Sequence, residues 1–162
     1  MNYCDIKHDD MLNGDGIRVT LFVSGCNHYC KNCQNSQTWD PHYGIPFKME
    51  DYMEICNELQ KDYISGITLT GGDPLFPDNR EAIKLLINNL KIAFPEKTIW
   101  LYTGYSFEEI KNLDFIQKID VLVDGVFDES KKDLKLHWVG SSNQRVIDIK
   151  KTFDTGSIVL HK

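Results

Sequence analysis

An α/β fold on a mainly parallel sheet is what this sequence predicts, and three observations carry it. Short β-branched runs alternate with amphipathic helical stretches, each run closes on a turn-forming residue, and the unusual loops all follow strands. At 162 residues, with 41% hydrophobic and 26% charged residues, the chain fits one domain over 1–162 whose core needs no disulfides. A complete eight-unit barrel takes about 250 residues, so the expectation is a partial (β/α) barrel or an open sheet.

The first strand is the run Ile17 to Val23. A helix follows, with Met49, Tyr52, Met53, Cys56, Leu59 and Tyr63 at three-and-four spacing as its apolar stripe. Ile67 to Thr70 is the second strand. The next helix opens on Asp78 with Glu81 three residues on, a capping-box pattern, and buries Ile83, Leu86, Ile87, Leu90 and Phe94. Thr98 to Tyr102 is the third strand, and Ser106 with Glu109 repeats the box at a shorter helix bearing Phe107, Ile110 and Leu113. Val121 to Val123 is the fourth strand, and the mixed run Asp128 to Asp133 reads as a solvated loop. Strands separated by helices pair in parallel, and ligands in such folds bind in the loops that leave the strands' carboxyl ends. Ser24 to Cys33, Gly71-Gly72-Asp73-Pro74, Thr103-Gly104-Tyr105 and Asp124-Gly125 all occupy such positions, which puts them on one sheet edge.

With 18 basic and 24 acidic residues the net charge is −6, which disfavours a nucleic-acid binder or an anionic-membrane binder. No apolar run is long enough to span a membrane, and the N-terminus lacks the pattern of a secretory signal, so the expected location is the cytoplasm. Five cysteines, an odd number with three crowded into eight residues, then read as metal ligands rather than a disulfide framework. Cys26, Cys30 and Cys33 sit at spacings of four and three. Soft thiolates select zinc, cuprous copper or an iron–sulfur cluster. A four-iron cluster on three cysteines keeps one iron open for chemistry; the alternative is zinc with His28 or His42 as fourth ligand. Gly71 and Gly72 at a strand end let the backbone approach a ligand closely, although alone they mark only a tight turn. Cys56 falls on a helical stripe and reads as core, whereas Cys4 could be a fourth thiolate of an electron-transfer cluster. His8, His42, His137 and His161 have no partner identifiable from sequence. Arg145 and Trp138 read as a surface arginine and a core tryptophan, with partner docking as the alternative.

The three-cysteine loop after the first strand and the Gly-Gly-acid-Pro loop after the second together resemble the radical S-adenosylmethionine (SAM) superfamily. A narrower likeness is carried by Leu21-Phe22-Val23-Ser24-Gly25-Cys26, His28, Asn35, Thr38-Trp39, Leu69 to Leu75, Trp100 to Tyr105, Val123-Asp124-Gly125 and Gly140-Ser141-Ser142-Asn143-Gln144. These segments resemble the activating proteins of the anaerobic ribonucleoside-triphosphate reductase, over about Asn2 to Gln144.

The resemblance implies a partial (β/α) barrel of the radical SAM type. It implies that Cys26, Cys30 and Cys33 bind a [4Fe-4S] cluster whose fourth iron takes SAM. By the same likeness the Gly71-Gly72-Asp73 loop contacts the methionyl amino group, and Asn32, Cys33 and Gln34 lie along the nucleoside. No catalytic residue beyond the cluster ligands is implied. The implied reaction cleaves SAM and takes a hydrogen atom from a backbone glycine of the reductase large subunit, with flavodoxin or ferredoxin as electron donor and oxygen excluded. Asp73 agrees with the narrower family, where the wider superfamily more often has Glu. Asn32 departs, standing where the superfamily has an aromatic residue and the narrower family a glycine, and Asn13-Gly14-Asp15-Gly16 replaces Asn-Gly-Pro-Gly. Residues 150–162 match nothing and carry no expected role. The competing readings are an activase of another glycyl-radical enzyme, a deazapurine-forming synthase, and a zinc or electron-carrier module without SAM.

Overall fold

Side chains along a strand point alternately to the two faces of its sheet, so the strands below set two different surfaces back to back. The computed structural model describes residues Met1–Lys162, with strands β1 (Asn2–Asp10), β2 (Ile17–Val23), β3 (Ile45–Pro46), β4 (Ile64–Gly71), β5 (Thr98–Tyr102), β6 (Val121–Asp124) and β7 (Arg145–Asp148). Its helices are α1 (Met49–Leu59), α2 (Arg80–Ala93), α3 (Phe107–Ile110) and α4 (Ile149–Thr155). All seven strands form one open sheet in the order β3-β1-β2-β4-β5-β6-β7.

The four strands read from sequence are the parallel centre, β2-β4-β5-β6, in unbroken chain order. A mainly parallel sheet is half of the outcome. β1 and β3 add an antiparallel edge beside β2, and β7 pairs antiparallel with β6. No sequence pattern marks these three as strands: β1 is polar and half exposed, β3 is two residues long, and β7 carries charge at both ends.

One face is wholly apolar. Val19, Leu21, Leu69, Leu101, Leu122 and Ile147 point into a core that Ile55, Leu59, Ile83, Ile87, Ile110 and Ile149 complete from the four helices. Each such buried aliphatic side chain contributes about 1.5–3 kcal/mol relative to exposure. Ile83, Leu86, Ile87 and Leu90 of the α2 stripe are buried as predicted, Phe94 caps the helix end half-buried, and the Asp78–Glu81 box does not form. Asp78 falls in a short 3-10 turn ahead of the helix, whose N-cap is Asn79. The box at α3 does form: the Glu109 carboxylate accepts from the Ser106 backbone N–H at 2.7 Å. In α1 the buried face is Ile55, Glu58 and Leu59, with Cys56 and Tyr52 packed at its margin, while Met49 and Met53 are exposed and Tyr63, also exposed, lies beyond the helix end. Apolar side chains on both sides of α1 made the spacing ambiguous. Residues 150–162 are not a loose tail: α4 buries Ile149 and Thr152, and the His161 backbone N–H bonds the Val146 carbonyl at 2.8 Å.

The opposite face is polar at one side and aromatic at the other. Arg18, Thr20 and Thr68 are fully buried there, beside Trp100, Val121 and Val123. Arg18 has no carboxylate in contact. It donates to Thr68, to the carbonyls of Asp15, Ile67 and Thr98 and to the Thr98 hydroxyl at 2.8–3.0 Å, and lies 5.5 Å from the Trp100 ring centre. Burial lowers its pKa to about 10, which leaves it charged at neutral pH. The turn from Met11 to Gly16 crosses this face and is tied down by Asp10, whose carboxylate accepts from Thr20, Asn13 and the Leu12 N–H at 2.6–2.9 Å. No helix of the molecule is long and apolar enough to cross a membrane.

Burial works to raise the Asp10 carboxyl, but its donors outweigh burial and hold it below the ordinary 3.8. A carboxyl lowered on folding adds stability above its unfolded value and loses it as the pH falls through the folded value. Urea midpoints should therefore fall as the pH drops below the ordinary carboxyl value of 3.8, and fall less in Asp10→Asn, which starts lower at neutral pH. Equal acid losses in both proteins contradict this role.

Candidate functional site

Parallel pairing of β2, β4, β5 and β6 carries their following loops to one sheet edge, where they surround a cavity of about 410 Å³. Of the residues singled out in the sequence as ligands or cofactor contacts, Cys26, His28, Cys30, Cys33, Gln34, Gly71 and Gly72 line it. Asn32 and Asp73 do not. The Asn32 side chain turns outward and donates to Glu129, and Asp73 lies behind the cavity wall with 1% of its surface exposed.

The cysteine loop is held at its start by backbone bonds from Gly25 to the Thr38 carbonyl, 2.7 Å, and from Cys26 to the Trp39 carbonyl, 3.1 Å. Burial raises the Cys26 thiol to about 11, against the backbone N–H of His28, and also raises Cys30. Thiols kept protonated by a dry setting ionise on binding a soft metal, whose charge replaces the missing solvent. All three are free, and Cys4, on β1, is not in the cavity wall. No three His, Cys, Asp or Glu side chains converge closely enough to hold a single metal ion. His42, one of the two possible zinc ligands, lies in the open beside Asp40.

The Gly71-Gly72 loop abuts the cysteine loop. At Gly71, where φ is +106°, a Cβ would lie 2.5 Å from the Val23 backbone; at Gly72 it would lie 2.7 Å from the Gly25 carbonyl. Only glycine fits either place. The Gly72 and Asp73 amides are spent on the carbonyls of Val23 and Gly25, while the Gly72 carbonyl accepts nothing from the chain. Two further polar groups lack partners, the buried indole N–H of cavity-lining Trp39 and the hydroxyl of Ser24. Three thiols and a glycine cradle in one cavity wall, with the unpaired Trp39 indole beside them, fit a cluster together with a small polar co-substrate.

Comparison with known proteins agrees. Residues 12–147 match the family model described as a 4Fe-4S single cluster domain. An anaerobic ribonucleoside-triphosphate reductase-activating protein of Enterobacteria phage T4 is 49% identical over 146 residues, 90% of this chain and 93% of the relative. Proteins of the same name from Escherichia coli K12 (45% over 152 residues, 90% and 97%) and Pasteurella multocida (42% over 151 residues, 89% and 95%) align over similar spans. The chain belongs to the anaerobic ribonucleoside-triphosphate reductase-activating protein family.

The backbone accounts for Asn32. Its φ is +56°, a left-handed conformation that glycine adopts freely and that asparagine tolerates best among the other residues. Asparagine therefore fits a turn at which the resemblance leads one to expect glycine. Several parts of the site were not visible in the sequence. Leu12 and Asn13 close the cavity from the β1–β2 turn, and Phe127, Leu134 and Trp138 close it from the segment after β6. Nothing in spacing marks residues that arrive by long-range folding. Arg145 proves structural: it donates to the buried Asp124 carboxylate at 3.0 Å and to Glu108 at 2.9 Å. Trp138 packs 5.0 Å from Trp100 and also borders the cavity.

The backbone at position 32 gives a direct check. Asn32→Gly should leave stability within about 0.5 kcal/mol, whereas Asn32→Val, forced into the left-handed region, should lose about 1–2 kcal/mol in urea denaturation.

Proposed function

We propose that this protein activates the anaerobic ribonucleoside-triphosphate reductase by generating a radical on a glycine of the reductase large subunit. The observation that carries the reading is the meeting of the Cys26–Cys30–Cys33 wall with the Gly71–Gly72 cradle in one cavity, in a chain of this family.

Cys26, Cys30 and Cys33 would hold a [4Fe-4S] cluster, each through one thiolate, and the match of residues 12–147 to a 4Fe-4S single cluster domain favours this over zinc. Gly71 and Gly72, shaped by Asp73, would receive the methionyl end of SAM, with the free Gly72 carbonyl as an acceptor for its amino group. The segment from Asn32 to Gln34 would lie along the nucleoside, Gln34 from within the cavity and Asn32 through its backbone turn. When bound, cluster and SAM together supply an electron and, on SAM cleavage, a 5′-deoxyadenosyl radical able to take a hydrogen atom. The chain's own work is to hold and orient these groups and to keep water from them. Trp39, Tyr102 and Trp138 contribute apolar surface to that end.

A polypeptide substrate has to enter at the cavity mouth. Leu12 and Leu134 stand there 73% and 88% exposed, an apolar rim suited to a protein loop. The electron donor is flavodoxin or ferredoxin, and the reaction runs in the cytoplasm without oxygen. Unbroken strand order with every helix on one face supports a partial (β/α) barrel wall of the radical SAM type.

Anaerobic reconstitution of Cys26→Ala, Cys30→Ala and Cys33→Ala tests the assignment. Each should lose cluster iron and lose reductive cleavage of SAM to 5′-deoxyadenosine by at least about 100-fold, while Cys56→Ala keeps both. Full cleavage in any of the three overturns it.

A further inference from the structure

His28 lies between two of the three cysteines, yet its side chain reaches across to another loop. Its Nε2 is 2.6 Å from Asp73 Oδ2. The same carboxylate takes the Gly104 N–H at 3.0 Å, the Thr103 hydroxyl at 2.9 Å and the Leu75 N–H at 2.8 Å. An ionised carboxylate only accepts, so Nε2 carries the proton and donates it. The imidazole also lies against Gly104 so closely that a Cβ there would clash with its Cδ2, and it meets the Tyr105 ring edge-on at 4.6 Å. His28 thus touches the loops that follow β4 and β5 while belonging to the loop that follows β2. Its backbone N–H, meanwhile, faces the Cys26 thiol.

We infer that His28 is a positioning residue: clamped between Asp73 and Gly104, it fixes the cysteine loop against the Gly71–Gly72 loop and so sets cluster and SAM at their working separation. The inference rests on the reading that these two loops hold a cluster and SAM. It deepens that reading by naming a residue that joins the two half-sites without binding either ligand. A rival has the same geometry: a metal-bound histidine commonly donates its other N–H to a carboxylate, which would make Nδ1 a ligand.

The test reconstitutes wild type, His28→Ala and His28→Gln under anaerobic conditions. It measures iron per chain, the low-temperature electron paramagnetic resonance spectrum of the reduced cluster with and without SAM, and the SAM concentration at half-effect. Glutamine can donate an amide N–H to Asp73 but is a poor metal ligand. All three proteins should hold equal iron. Wild type and His28→Gln should show the same SAM-induced spectral change, while His28→Ala needs roughly tenfold more SAM, the factor that a charge-assisted hydrogen bond carries. Iron lost from both variants in parallel makes His28 a ligand and overturns the inference. A wild-type response to SAM in His28→Ala overturns it while leaving the proposed function standing. A wild type that holds no four-iron cluster overturns the function, and the inference with it.

Discussion

The carboxylate of Asp73, 1% exposed, gathers hydrogen bonds from His28, Thr103, Gly104 and Leu75, groups that come from three different strand-following loops. An uncompensated buried carboxylate is costly, so these donors cannot leave without destabilising the whole edge of the sheet. The result is a fixed geometry for everything in front of it. Gly72 presents a free carbonyl because Asp73 anchors the turn, and Cys26 faces the cavity because the Gly25 carbonyl accepts the Asp73 amide at 2.8 Å.

The two faces of the sheet divide the work. The helix-covered face carries nearly all of the apolar burial and makes the parallel strands rigid. The other face has no helix and is closed instead by Arg18, Trp100, Trp138 and the turn from Met11 to Gly16, which leaves space at the strand ends for a cavity. A binding site on loops is precise only when the scaffold beneath it is stiff, and here the loops start from four hydrogen-bonded strands in consecutive register.

Where local pattern decided structure, the sequence was readable. Ile17–Val23 and Thr98–Tyr102 are strands to the residue, and the α2 stripe and the Ser106–Glu109 box are as the spacing predicts. Where packing decided, it was not. The burial of Ile55 rather than Met53 depends on which side of α1 meets the sheet, and β7 becomes a strand only because β6 offers it an edge. Within the site, the cysteines and glycines announced themselves by residue type and spacing. The His28–Asp73 pair joins positions 45 apart, and the wall from Phe127 to Trp138 contains the exposed, charged run Asp128 to Asp133, which resembles any surface loop. Contacts of that kind are products of the fold: the sequence offers His28 only as an alternative zinc ligand and carries no sign of its pairing with Asp73.

The most direct measurement is low-temperature electron paramagnetic resonance on an anaerobic mixture of iron-reconstituted protein, SAM, a reductant and the cognate anaerobic reductase. The account predicts a glycyl-radical doublet that requires all four components. A reduced-cluster signal that responds to SAM but yields no doublet contradicts the assigned partner, and the absence of any cluster signal contradicts the account as a whole.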